Sequence, residues 1–88
     1  MPPPRSTKAR VNESKYPFVV ELAVKSDHLD LALSRQIMRF HKSRHIRLRY
    51  GRAFVNQFGS RYRWCFSDLS TARNFVEEFG GEFCKPTV

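Results

Sequence analysis

The sequence predicts a single α+β domain, with two helices packed on one face of a four-stranded antiparallel sheet. Three observations point there. Apolar residues alternate with period two over residues 18–24, two later stretches repeat at helical spacing behind an Asp, and a glycine marks a reversal between two strand-like segments.

The elements follow in order. Residues 1–15, beginning "MPPPRSTKARVNES", are rich in proline and basic side chains and hold almost no large apolar residue. Such a segment buries too little surface to offset its ordering entropy, so the expectation is a disordered basic arm followed by one domain over residues 16–88. Phe18, Val20, Leu22 and Val24 then alternate with Val19, Glu21, Ala23 and Lys25, which marks a strand with one apolar face. Leu29, Leu33, Ile37 and Phe40 recur at helical spacing, so a helix is expected over roughly residues 28–43, capped by Asp27. Residues 46–58 and 61–66 read as two strands joined at Gly59-Ser60. Counting outward from that turn sets Val55 opposite Trp64 and Ala53 opposite Phe66, with Phe54, Phe58, Arg61 and Arg63 on the other face. A second helix over residues 69–79 presents Leu69, Ala72, Phe75, Val76 and Phe79 on one side and stops at Gly80-Gly81. "EFCKP" supplies a short edge strand ended by Pro86.

Strand, helix, strand, strand, helix, strand, joined by right-handed crossovers, gives the ferredoxin-like split β-α-β arrangement. Its first and third strands are central, its second and fourth are edges, and one sheet face is open. The expected core is Phe18, Val20, Leu22, Leu33, Ile37, Phe40, Val55, Trp64, Phe66, Leu69, Ala72, Phe75 and Phe79.

Charge narrows the function. The 88 residues carry 16 Lys plus Arg against eight Asp plus Glu, and the excess is concentrated: between Leu31 and Ser67 stand nine basic residues and no acidic one. Arginine dominates that run, and its planar fork of donors suits phosphate. The expected function is therefore a non-catalytic basic module that binds nucleic acid or another polyanion. Arg44, Arg47, Arg49, Arg52, Arg61 and Arg63 are the candidate phosphate contacts, and Phe54 and Phe58 the candidate stacking platforms. A competing explanation is that the cations solvate an edge strand against aggregation. The alternative function is a protein-interaction or homodimerisation module, because an open face bearing Phe54 and Phe58 can equally be covered by another subunit.

Other chemistry finds little support. His41 and His45 share a helical spacing, but Cys65 and Cys84 lack paired metal-ligand spacing, so neither a metal nor another cofactor is expected. Arg61 or Arg63 could favour a Cys65 thiolate without supplying a base, and with no catalytic signature the chain is not expected to be an enzyme. Two cysteines are too few for a secreted disulfide scaffold, and no apolar run suggests a leader or a membrane span, so a cytoplasmic protein without membrane partners is expected.

Two stretches carry resemblances. "YGRAFVNQF" partially resembles the central motif of RNA-recognition motif domains, matching at Gly51, Ala53, Phe54 and Val55 and departing at Tyr50, Arg52 and Gln57. In those domains the motif lies on the third strand, whereas here it falls on the second. "RYRWCFSDLSTARNFVEEFGG" resembles a strand-helix pattern of small uncharacterised bacterial α+β proteins, which implies the same strand, cap, helix and glycine stop but no activity.

Overall fold

A computed structural model describes residues 5–25, 30–56 and 58–84. In chain order the elements are α1 (Arg5–Lys15), β1 (Phe18–Val24), α2 (Leu31–Ser43), β2 (Phe54–Asn56), β3 (Gly59–Phe66), α3 (Leu69–Phe79) and β4 (Glu82–Phe83). The strands form one antiparallel sheet in the order β2-β3-β1-β4, an α+β architecture compatible with the ferredoxin-like arrangement.

Alternation in β1 directs Val20 and Leu22 toward the helices, where they are buried with Trp64 and Phe66 of β3. Ile37 and Phe40 of α2 and Ala72 and Phe75 of α3 complete the same cluster, so both helices share one sheet face. Phe75 is the hub: its ring centroid lies 5.4 Å from Phe40, 5.3 Å from Trp64, 5.4 Å from Phe66 and 4.8 Å from Phe79. Phe18, Leu33 and Phe79 pack at the margin of the core as expected. Val55 and Leu69 do not join it and are exposed.

The helix ends show why each helix sits where it does. At the start of α2 an Asp30 carboxylate oxygen accepts the Leu33 N–H at 3.4 Å, so the helix begins later than the expected residue 28; Asp27 and Leu29 lie outside the described residues. It stops at His45, whose φ of 55° is left-handed, while the N–H groups of His45 and Ile46 return to the carbonyls of Lys42 and His41. Helix α3 matches its expected span. Asp68 accepts the Thr71 N–H at 2.8 Å at its start, and Gly80 takes φ 82° at its end. Gly81 is then needed twice over, for its φ of 97° and because a Cβ there would come within 2.7 Å of the Glu21 carbonyl oxygen on β1.

The hairpin register corrects the sequence reading. Phe54 pairs with Arg61, Val55 with Ser60 and Asn56 with Gly59, so the reversal falls just before Gly59 and not at Gly59-Ser60. The reason is burial. The observed register carries residues 48–50 alongside the aromatic end of β3, with Tyr50 bridged to Trp64, and lets Ile46 and Leu48 pack on the core. The expected register would have left those three apolar side chains beyond the end of the strand. A β-bulge reconciles the two halves: the Gly51 N–H donates to the Arg63 carbonyl and Phe54 faces Arg61, so Arg52 and Ala53 together oppose Tyr62.

The N-terminal segment also differs from expectation. Residues 5–15, read as part of a disordered arm, form α1, while residues 1–4 lie outside the described residues. Its few apolar side chains explain the error, because what fixes α1 is polar. Among the described residues, no helix is long and apolar enough to cross a membrane.

Candidate nucleic-acid interface

The sheet face turned away from α2 and α3 carries Phe54 of β2, Arg61, Arg63 and Cys65 of β3, and Val19, Glu21 and Ala23 of β1, as pleating and register require. It is not the open face the sequence suggested. Cys65 and Val19 are buried there, and α1 reaches onto this side from the β2 edge. The Asn12 side-chain amide donates to the Tyr50 carbonyl at 2.8 Å, and the Arg49 guanidinium lies 3.9 Å above the Tyr16 ring.

Glu13 makes the central contact. One carboxylate oxygen accepts the Arg52 main-chain N–H at 2.6 Å and its Nε at 3.1 Å; the other accepts Arg52 Nη2 at 3.3 Å and Arg63 Nη1 at 2.9 Å. Burial opposes the ionised form, but the Arg52 side-chain and main-chain hydrogen bonds and the charges of Arg63 and Arg52 prevail, holding the carboxyl below its ordinary 4.5. Gly51 makes room for it, since a Cβ there would lie 2.9 Å from Arg63 Cβ and 3.0 Å from a Glu13 oxygen. Arg63 also donates from Nε to Glu21 at 3.0 Å and sits 5.0 Å from the centre of the Phe54 ring.

Between α1, α2 and the β2 edge lies a cleft of about 820 Å³. Lys8, Arg10, Arg52 and Arg63 line it together with Tyr50 and Phe54, and among the described residues no carboxylate does. Cations and half-exposed aromatic rings thus face one space, which is the combination a nucleic-acid strand requires.

The eight expected site residues divide into three groups. Arg52, Phe54 and Arg63 are brought together at the cleft, although Arg52 and Arg63 already hold Glu13. Arg61 and Phe58 border a neighbouring groove with Phe54; Phe58 is 85% exposed, and Arg61 stands 3.8 Å from Glu21. Arg44, Arg47 and Arg49 lie elsewhere: Arg44 caps α2 with its guanidinium 3.8 Å over Phe40, Arg47 is exposed, and Arg49 is committed to Tyr16. Glu13, Asn12, Lys8, Arg10 and Tyr50 were not among the expected site residues, and all but Tyr50 fall in the segment read as a disordered basic arm. One signal was present, because Glu13 is the only acid in the first twenty residues.

The residues weighed for metal or thiol chemistry are placed apart. His41 is buried in the core, stacked at 5.5 Å on Phe66, with Nδ1 donating to the Ile37 carbonyl at 2.8 Å, whereas His45 is exposed in the turn that ends α2. Burial pushes the Cys65 thiol up to about 12, so it stays protonated and unreactive near neutrality. Cys84 lies across β1 from it, its N–H donating to the Val19 carbonyl. No protein family, no curated protein and no solved structure matches this chain.

Proposed function

We propose that this protein is a non-catalytic nucleic-acid-binding module that takes a single strand along the cleft between α1 and the β2 edge. The observation that carries the reading is the lining of that cleft: four cations, with Tyr50 and Phe54 beside them and no carboxylate among its described residues. Guanidinium and ammonium groups hold the phosphates, and the rings offer faces on which bases stack. A single strand fits better than a duplex because rings at a sheet edge can reach only bases that are not already paired. The net charge of +8 adds long-range attraction.

A labelled oligonucleotide titrated at several salt concentrations tests this. Contact with four phosphates predicts a log-log slope of roughly −3, at about −0.7 for each phosphate on a single strand. Lys8→Glu with Arg10→Glu, two exposed changes on α1, should weaken binding more than tenfold and flatten the slope by roughly half. Phe54→Ser should weaken single strands more than duplexes. A folded protein that binds neither DNA nor RNA at low salt, or whose binding ignores these changes, refutes the reading. The exposed Val55 on edge strand β2 and the exposed Phe58 in the turn before β3 favour the second reading, a homodimer or protein partner, which mass in solution tests in the same samples.

A further inference from the structure

We infer that the Glu13 carboxylate occupies a phosphate seat, and that α1 is a self-inhibitory element which a phosphate displaces. The inference rests on the preceding reading only for the source of the phosphate; the seat is defined by its donors. Four N–H groups converge on Glu13 from Arg52 and Arg63, one of them a main-chain amide. The Arg52 fork, its main-chain amide and one Arg63 N–H match the charge and the oxygen spacing of a phosphate as well as those of a carboxylate. Arg63 keeps its second partner, Glu21 at 3.0 Å, when Glu13 leaves, so the seat stays formed.

The remaining contacts make α1 easy to release. Its described anchors are polar, namely Glu13 and Asn12, with Tyr16 just beyond its end, and Val11 is exposed. Its sequence, RSTKARVNESK, contains four cations and a single acid, and that acid is the one seated. Release therefore withdraws the only negative charge of α1 from the arginines, and Lys8 and Arg10, which leave the cleft wall with α1, stay tethered to β1 and free to follow the phosphates of the incoming strand. A ligand competing with a tethered carboxylate sees its apparent affinity reduced by the fraction of molecules that are open.

The test uses the full chain and two probes, inorganic pyrophosphate and a short oligothymidylate. Pyrophosphate should first perturb the Arg52 main-chain amide of the unaltered protein in NMR spectra; perturbation confined to other residues overturns the inference. Glu13→Gln should then bind pyrophosphate roughly tenfold or more tightly than the parent, as expected when a closed state is removed. Glu77→Gln, the same charge change on an exposed position of α3, should not. Equal affinity of Glu13→Gln and the parent overturns the proposal, as does an equal gain in Glu77→Gln or a gain that survives Arg52→Gln added to Glu13→Gln. Oligothymidylate separates the sources. If oligothymidylate binds but neither probe gains from Glu13→Gln, nucleic-acid binding stands and the seat fails; if pyrophosphate gains and oligothymidylate binds neither protein, the seat stands and the nucleic-acid reading fails.

Discussion

Replacing Phe75 with Ala tests the packing that holds the sheet to its helices. The ring is fully buried and lies within 5.5 Å, centre to centre, of Phe40, Trp64, Phe66 and Phe79. Truncating a buried Phe costs about 3–5 kcal/mol through lost transfer energy and the cavity left behind. Marginal stability at roughly 0.05–0.15 kcal/mol per residue gives a chain of this length about 4–13 kcal/mol in all, so the variant should lose a large part of it. Phe75→Leu keeps most of the apolar volume and loses mainly the ring geometry, so about 1–2 kcal/mol is expected. Urea unfolding followed by the fluorescence of Trp64, the only tryptophan, reads both variants directly. With an unchanged m-value the three midpoints should fall in the order parent, Leu, Ala. An Ala variant within 1 kcal/mol of the parent would refute the placement of α3 on the sheet.

Two further outcomes follow. Burial, together with the charges of Arg44 and Arg49, holds His41 below its ordinary 6.5 despite the opposing pull of the Ile37 carbonyl. The unfolded chain therefore binds this proton more readily, stability falls as pH drops below about 6.5, and His41→Phe should flatten that limb of a urea midpoint-against-pH profile. Gly51→Ala brings a methyl group against Arg63 and Glu13; it should cost about 1–3 kcal/mol by overpacking and dislodge Glu13, visible as loss of the Arg52 amide's native NMR position. A stable Gly51→Ala protein with that signal unmoved would contradict the close approach.

What could be read from the sequence followed the range of the interactions involved. The span of α3 rests on Asp68 and Gly80, local signals within one helix length, and β1 declared itself by alternation. The hairpin depended on competition between two registers, decided by Leu48 packing on the core and Tyr50 bridging to Trp64, partners supplied by the tertiary fold. Local turn chemistry at Gly59-Ser60 carried no information about that contest. The candidate site was half legible: Arg52, Phe54 and Arg63 were named and share one cleft, but the composition of residues 5–15 hid α1, because its order comes from partners 38 to 50 residues away. A segment that looks too polar to fold can be ordered by one carboxylate if the fold presents donors to it.

The edge position of Arg52 bears on how such a seat could arise. In an antiparallel ladder every second amide of an edge strand is spent on its neighbour; here Gly51 donates to the Arg63 carbonyl, so the next amide, that of Arg52, points outward, where Glu13 accepts it. A sheet edge thus carries an outward row of donors, and a receptor for an anion needs only a basic side chain beside one of them. Deleting Ala53 would close the bulge and give one continuous register with Arg52 opposite Tyr62 and Phe54 still opposite Arg61, so the edge could lose a residue without changing any residue that forms the core.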